Sequence, residues 1–177
     1  HKLRADFDAI IVGGNTLRKD DPLLTTRGLK EIEPLRVVFT RTLDLPAKAN
    51  LWDTDISNTL IIYDASTANE GNLTRIPKKV EVVKVSSDNP KLLSRILAEK
   101  GCNKVLWECG PELATSAVKK GCIQEFITFL APKILGGKNG MTPFSDFEFE
   151  SMNEVINLNL QDIKMFSKDI YLRSFMK

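Results

Sequence analysis

The sequence is poor in the residues that build disulfide frameworks and zinc sites. It contains one histidine, His1 at the chain end, and three cysteines, Cys102, Cys109 and Cys122. Three is an odd number and no two of these cysteines form a CxxC pair, so their spacing suits neither a disulfide framework nor a zinc site. We therefore expect no bound metal and three reduced thiols, as in a cytoplasmic protein.

Long apolar runs and an excess of one charge are also lacking. No apolar run approaches the roughly 20 residues that a membrane helix needs. The net charge is only +2 at pH 7, and lysine and arginine are interspersed with aspartate and glutamate. A nucleic-acid partner requires a basic stripe that follows the phosphate backbone, and none is visible. Neither a membrane nor a nucleic acid is therefore an expected partner.

What the chain does have is the composition of an ordinary globular protein. Hydrophobic residues make up 42% and charged residues 27% of its 177 positions. This length suits one domain with a substantial core. Repeats, low-complexity tracts and linkers are not evident, so we expect a single domain over residues 1–177.

Short β-branched apolar runs recur along the chain and predict strands at residues 8–12, 35–39, 59–63, 80–85, 104–108 and 124–130. Continuous apolar runs of this length are typical of strands buried on both faces of a parallel sheet. Between them we predict three helices. One covers residues 15–19 with Asn15 as its cap, one covers about ten residues from Pro90, and one runs from Pro111 to residue 120.

The last part of the chain has a different pattern. Residues 153–166 and 169–175 alternate apolar and polar side chains on either side of Ser167 and Lys168, which predicts an antiparallel hairpin. Strands alternating with helices precede it. The sequence therefore indicates the α/β class, with a largely parallel central sheet flanked by helices and a C-terminal antiparallel hairpin.

The loop after the first predicted strand is one candidate site. Gly13 and Gly14 let the backbone approach a ligand closely. Thr16 lies in the first turn of the short helix, where free amides suit a phosphate, and Asp20 follows four residues later on the same face. Arg27 can bind two phosphate oxygens at once. A turn-rich loop without a ligand explains this segment slightly better when the segment is taken alone.

A second candidate site lies where Glu108 ends a predicted buried strand and Gly110 and Pro111 open a helix. A small loop leading into a helix N-terminus is suited to an anion. A carboxylate at the end of a buried strand must find a partner or face a cleft. A plain helix N-terminus explains Glu112 but not Glu108. For the glycine pair in a third loop, residues 131–137, we favour a structural role.

Four stretches in this order and spacing carry a resemblance to a known family. They are HKLRADFDAIIVGGNTLRKDDPLLTTR, PLRVVFTRTLDLP, WECGPELA and FLAPKILGG, spread over most of residues 1–140. Together they resemble the reductase domain of the bifunctional riboflavin-biosynthesis deaminase–reductase, a member of the dihydrofolate-reductase-like fold. The resemblance implies NADPH-dependent reduction of 5-amino-6-(5-phosphoribosylamino)uracil. In that reaction a hydride reaches sugar C1 and a proton reaches the attached nitrogen.

The resemblance also implies roles for residues, matched by position. Thr16 and Asp20 would contact the cofactor, while Leu24, Arg27 and Glu108 would contact the substrate, with Arg27 on the ribose phosphate. Asp20 and Glu108 are both candidates for catalytic proton handling or orientation, and the choice between them stays open. The NADPH diphosphate would lie against the stretch Gly110, Pro111, Glu112, Leu113, Ala114, Thr115 and Ser116.

Two features depart from the family pattern. Thr40 and Arg41 stand where the family commonly has Asp-Ser, so the cofactor contact at this position would be Arg41, which suits the 2′-phosphate of NADPH. The family's first strand and its Ser-Leu-Asp-Gly loop, with a lysine near the reaction centre, precede the matching residues. We therefore expect residues 1–177 to lack part of the substrate half of the site, and the isolated fragment to be impaired.

The resemblance further implies a homodimer, for which the C-terminal hairpin offers strands, and a deaminase domain on the N-terminal side. Two alternatives to the reductase interpretation remain. One is another dihydrofolate-reductase-like enzyme that acts on a pyrimidine or a pterin. The other is a nucleotide-binding domain without turnover, which would bind the cofactor but not oxidise it.

Overall fold

The computed structural model describes residues 1–134, 136 and 142–177, and within these ranges it contains eight strands and four α-helices. The strands are β1 (Ala9–Gly13), β2 (Leu35–Thr40), β3 (Thr59–Asp64), β4 (Glu81–Val85), β5 (Val105–Trp107), β6 (Glu125–Leu130), β7 (Leu158–Phe166) and β8 (Asp169–Met176). The helices are α1 (Lys2–Ala5), α2 (Gly14–Asp20), α3 (Pro90–Glu99) and α4 (Pro111–Lys119). Short 3-10 helices cover Asn50–Trp52, Glu70–Arg75 and Met152–Glu154. Across the described ranges, none of the helices has the length and apolar character that crossing a membrane requires.

The first five strands form one parallel sheet in the order β4-β3-β2-β1-β5. Neighbouring residues of its central strands pack into different cores, because successive side chains point to opposite faces. Ile10 and Val38 belong to one buried cluster, whereas Ile11 and Val37 belong to the other. Burial on both faces explains the continuous apolar runs, and the predicted parallel sheet flanked by helices is confirmed.

The remaining strands form a second, antiparallel sheet in the order β6-β8-β7. Its β7–β8 hairpin turns at Ser167, whose φ of 58° is left-handed, and confirms the predicted C-terminal hairpin. The predicted start of the hairpin at residue 153 is wrong, because Leu158 already lies opposite Met176, the last residue of β8. No further part of β8 is left to pair with residues 153–157, and Met152–Glu154 form a 3-10 turn instead.

Helix boundaries agree with the sequence at α3 and α4 and differ at α2. The helix α3 begins at Pro90, as predicted, and Asn89 caps it by accepting a hydrogen bond from the Lys91 amide at 3.0 Å. Asn15 does not cap α2, because the helix already begins at Gly14 with the extended Gly13 as its N-cap. The Asn15 side chain instead accepts a hydrogen bond from Arg18. The prediction of Asn15 as the cap was therefore wrong.

Candidate active site

The carboxyl ends of β1, β2 and β5 lie side by side at one edge of the parallel sheet. Ile11 of β1 is opposite Trp107 of β5, and Gly13 is opposite Phe39 of β2. The segments that follow these strands therefore meet at this edge, which is where open α/β sheets bind their ligands. The predicted site segments after β1, β2 and β5 are far apart in sequence and are brought together here.

The glycine pair after β1 allows the closest approach between these segments. A Cβ atom on Gly14 would lie 3.0 Å from the Thr40 hydroxyl oxygen, and one on Gly13 would lie 3.9 Å from a Leu113 methyl carbon. Gly14 therefore lets the start of α2 approach Thr40 at the end of β2 closely, whereas a Cβ at Gly13 would make an ordinary contact with Leu113 in the first turn of α4. Thr16 lies in the first turn of α2 and is half-buried, whereas Asp20 is its last residue and is exposed.

The N-terminus of α4 presents free backbone donors to the same edge. Gly110 is the N-cap and Pro111 the first helical residue, so the amides of Glu112 and Leu113 lack intrahelical acceptors. A Cβ atom built on Gly110 would meet no heavy atom of the described residues within 4 Å. The first turn of α4 is thus open to an anion, which the helix dipole favours.

The rest of the predicted diphosphate stretch is less accessible. The Ala114 amide already donates to the Gly110 carbonyl at 3.0 Å. The amides that follow it in α4 donate to helix carbonyls four residues before them. Thr115 is buried, and its hydroxyl oxygen accepts a hydrogen bond from the Ser145 amide at 2.9 Å. In the predicted stretch of residues 110–116, the free backbone donors are therefore confined to the first turn of the helix.

Arg41 follows β2 and faces the beginning of α4. Its guanidinium lies 3.1 Å from the Glu112 carboxylate, and both side chains are more than half exposed, at 60% and 68%. An exposed pair of this kind contributes little to stability, so its partner is easily exchanged. Arg41 can therefore turn to an anionic ligand held at the α4 N-terminus without a large cost.

Glu108, at the end of β5, is held by a residue to which the sequence analysis gave no role. Arg4 donates from Nε to one carboxylate oxygen at 2.9 Å and from Nη2 to the other at 2.6 Å. The hydrogen bond with Glu108 is the main reason why the pKa of Arg4 is raised. This two-point contact fixes the plane of the Glu108 carboxylate. Arg4 lies in the first stretch that carries the resemblance, which is the signal that could have found it.

The turn before Arg27 is connected to the Arg4–Glu108 ion pair. Arg4 also donates from Nη1 to the Thr25 carbonyl at 3.1 Å, so the turn and Glu108 share one guanidinium. Leu24 is 1% exposed and packs into the core, so only its backbone can contact a ligand. The side chain of Arg27 is exposed, and its φ of 56° is left-handed.

Cys109 stands between Glu108 and Gly110, the N-cap of α4, and its thiol is uncharged at neutral pH. Burial raises the pKa of its thiol to about 12, because the thiolate is poorly solvated there. All three cysteines are unpaired. Among the described residues, no group of three or more histidine, cysteine or acidic side chains is arranged to hold a metal ion. Leu135 and Gly137 of the third predicted loop lie outside the described residues.

Comparisons with known proteins agree with this architecture. The family described as the RibD C-terminal domain matches residues 1–172. The riboflavin biosynthesis protein RibD of Synechocystis sp. is 43% identical over 159 residues, which cover 89% of this chain and 43% of that protein. The 2,5-diamino-6-ribosylamino-4(3H)-pyrimidinone 5′-phosphate reductase of Aquifex aeolicus is 29% identical, with 91% of this chain and 73% of that protein covered.

A solved structure of RibD from Acinetobacter baumannii superposes with a TM-score of 0.82 at 25% sequence identity. The superposition covers 99% of this chain and 49% of that one. The chain therefore spans less than half the length of the RibD proteins that it matches here. The family match nevertheless covers residues 1–172, which include strands of both sheets.

Proposed function

The chain belongs to the RibD C-terminal domain family, and on that basis we propose that it is the reductase part of a riboflavin-biosynthesis enzyme. The proposed reaction reduces 5-amino-6-(5-phosphoribosylamino)uracil to the 5-phosphoribitylamino product. The observation that carries this proposal is the placement of Arg4. It joins Glu108, at the end of β5, to the turn that bears Arg27. Arg4 therefore fixes Glu108, which suits the polar edge of a pyrimidine, relative to the turn that bears Arg27, which suits a phosphate.

We propose NADPH as the cofactor, bound across the ends of β1, β2 and β5. The residues fit it, since Gly110 leaves open space beside the free amides of the first turn of α4, where a diphosphate would be stabilised. Thr16 and Asp20 lie on α2, beside this helix. Arg41 would leave its ion pair with Glu112 and bind the 2′-phosphate of the cofactor. When bound, NADPH supplies the hydride for sugar C1.

The two candidate carboxylates differ in their surroundings. Glu108 is held in position by two hydrogen bonds from Arg4 and is suited to accept hydrogen bonds from the substrate and orient it. Asp20 is exposed at the end of α2, the helix that also bears Thr16. We propose that Glu108 orients the pyrimidine and that Asp20 is the better placed to exchange a proton with solvent for delivery to the nitrogen.

The proposed function is tested by turnover of the full-length protein. With the deaminated phosphoribosylamino-pyrimidine as substrate, we expect NADPH to be oxidised and the ribitylamino product to form. NADH should be used less efficiently, because it lacks the phosphate that Arg41 would bind. The measurement is the loss of near-ultraviolet absorbance of the cofactor, with product identified by mass spectrometry. NADPH binding without oxidation would instead support a nucleotide-binding domain, and oxidation only with another pyrimidine or a pterin would support a different reductase of this fold.

We further propose that one more strand completes the reductase domain. Within the described residues, β5 pairs only with β1 and β6 pairs only with β8, so each leaves a free edge. A strand from outside the 177 residues, lying between β5 and β6, would join the two sheets and bring further substrate contacts beside Glu108. More than half of each of these RibD proteins lies outside the match, which is long enough for this strand and for a deaminase domain.

We also propose a cytoplasmic location, which the three unpaired thiols support.

We also propose a homodimer through the face of β7. Leu158, Leu160, Ile163 and Met165 are 41–67% exposed. A register shift between Leu160 and Asp162 places all four opposite alternate residues of β8, hence on one face of the sheet. An apolar face of this kind is typical of an interface with a second subunit.

Replacing Ile163 with aspartate is expected to convert the dimer to a monomer, because a buried unpaired carboxylate destabilises an apolar interface. Sedimentation velocity measures the change in mass. Asn159→Asp is the matched control, since Asn159 is exposed on the opposite face of the same strand and should leave the dimer intact. A dimer that persists in Ile163→Asp would place the interface elsewhere.

A further inference from the structure

The peptide group between Thr25 and Thr26 is held at both ends by charged side chains. Its carbonyl oxygen accepts a hydrogen bond from Arg4 Nη1 at 3.1 Å. Its N–H donates to Glu33 Oε2 at 2.6 Å, and the Thr26 hydroxyl donates to Glu33 Oε1 at 2.9 Å. Both threonines are buried, with exposed fractions of 8% and 0%. Because the peptide dipole is negative at oxygen and positive at hydrogen, a cation and a carboxylate placed in this way both stabilise one orientation.

That orientation determines an unusual turn. Leu24 and Arg27, on either side of the threonines, have φ angles of 54° and 56°. Residues other than glycine rarely adopt this left-handed region, which costs each of them roughly 1 kcal/mol or more. Two charge-assisted hydrogen bonds on the intervening peptide are strong enough to offset this strain. The side chain of Arg27 leaves the turn directly after Thr26, so its direction depends on that peptide.

The same contacts connect the turn to the end of β5. Arg4 binds the Thr25 carbonyl and the Glu108 carboxylate with the same guanidinium. Glu33, the Thr25–Thr26 peptide, Arg4 and Glu108 therefore form a continuous chain of hydrogen bonds. Its two ends are a residue with no assigned role, Glu33, and a residue proposed to face the pyrimidine, Glu108.

We propose that Glu33 is a positioning residue that sets the Arg27 side chain relative to Glu108, and through Arg27 sets the affinity for the phosphorylated end of the substrate. The inference rests on the proposed function, since it assigns Arg27 to the substrate phosphate. In this proposal Glu33 acts through its hydrogen bonds to Thr26 and not by contact with substrate or cofactor. Its effect should therefore appear in substrate binding and not in the chemical step.

The first test uses three variants of the full-length protein and the phosphorylated substrate. Glu33→Ala is expected to raise KM about tenfold or more while kcat stays within about twofold, because a loss of about 1.4 kcal/mol in binding changes an affinity tenfold. Glu33→Gln should recover most of the affinity, since its amide oxygen still accepts from the Thr26 amide and its nitrogen can donate to the hydroxyl. Glu31→Ala is the matched control, because Glu31 is exposed on the same segment and should leave KM unchanged.

The second test is a double-mutant cycle with Arg27→Ala. If Glu33 acts through Arg27, the double variant should have the KM of Arg27→Ala alone, since contacts that act as one unit are not additive. Additive effects, or a KM rise that is equally large for the dephosphorylated substrate, would overturn the inference. A Glu33→Ala variant with unchanged KM and only a lower melting temperature would overturn it as well.

Failure of the proposed function is distinguishable from failure of this inference. Wild-type protein that does not oxidise NADPH with this substrate contradicts the function, whereas wild-type turnover with an inert Glu33→Ala substitution contradicts only the role of Glu33. If Glu33→Ala does not fold, Glu33→Asp replaces it. The shorter side chain withdraws the carboxylate by one methylene while keeping its charge, and the same rise in KM is expected.

Discussion

Replacement of Arg27 by alanine is expected to lower kcat/KM for the phosphorylated substrate about 100-fold. Charge-assisted hydrogen bonds to a phosphate contribute on the order of 3 kcal/mol, and alanine removes all of them. The loss should fall mainly on KM, because the phosphate is remote from the reacting carbon and is bound equally in the ground and transition states. Steady-state kinetics of NADPH oxidation measure both constants.

Two comparisons show whether the phosphate is the partner of Arg27. With the dephosphorylated substrate, wild type and Arg27→Ala should differ little, because the ligand of the guanidinium is gone. Arg95→Ala is the control for a general loss of positive charge, since Arg95 is exposed on α3. Turnover of the phosphorylated substrate that is unaffected by Arg27→Ala would show that the ribose-phosphate assignment is wrong and would favour a substrate without this group.

Replacement of Arg36 by methionine is expected to lower the free energy of unfolding by roughly 2–4 kcal/mol, because each buried carbonyl left without a donor costs about 1–3 kcal/mol. Arg36 lies in β2 and is completely buried. Its Nη2 donates to the carbonyl oxygens of Leu51, Asp53 and Ser57 at 3.1, 2.7 and 2.5 Å. Methionine fills a similar volume but donates no hydrogen bond. The Leu51 carbonyl still accepts from the Thr59 hydroxyl at 2.6 Å, so the carbonyls of Asp53 and Ser57 are the ones left without a donor.

Arg36 is unusual because its hydrogen-bond partners in these contacts are backbone carbonyls and not a carboxylate; Asp53 and Glu33 stabilise its charge only from a longer distance. Burial lowers the pKa of Arg36, which reflects the cost of holding a charge there. The guanidinium donates to carbonyls of the segment that follows Asn50, and the Thr59 hydroxyl adds a hydrogen bond to Leu51. Side chains of the neighbouring strands β2 and β3 therefore hold this loop, and Arg36 makes most of these contacts.

Urea unfolding followed by circular dichroism measures the effect of Arg36→Met. Arg36→Lys should be destabilised less, because an ammonium retains the charge but reaches fewer of the carbonyls. Arg95→Met, on the exposed face of α3, should change the free energy of unfolding by less than about 0.5 kcal/mol. Wild-type stability in Arg36→Met would mean that water satisfies these carbonyls and that the arginine is dispensable.

Much of the fold could be predicted because its signals are local. The β-branched runs at β1, β2 and β3 are continuous since both faces of the sheet are covered, and a single sequence displays that pattern directly. Asn89 and Gly101 mark the ends of α3 by the backbone geometry that they favour, with Gly101 at a φ of 85°. The error at Asn15 arose where two residues could begin a helix, and the packing of Gly14 against Thr40 decided between them.

The candidate site was only partly predictable. Glu108 was singled out because a carboxylate at the end of a buried strand needs a partner, but the sequence did not say which residue that is. Arg4 is 104 positions away and meets it because β1 and β5 are neighbours in the sheet. The assignments of Thr16, Asp20 and Arg27 to particular ligands stay predictions until the variants are measured.

By itself, then, the sequence determined the class of fold, the family and the segments that gather at one end of the sheet. These follow from periodicity, from turn chemistry and from motifs whose residues are adjacent in the chain. Only the tertiary structure decided that β6 joins the hairpin in a separate sheet. It also decided that Arg4 and Glu33 hold opposite ends of one peptide group. Partners of charged side chains can lie far apart in sequence, and their pairing produces no repeating pattern of residues. Such contacts are therefore seen only in the folded chain.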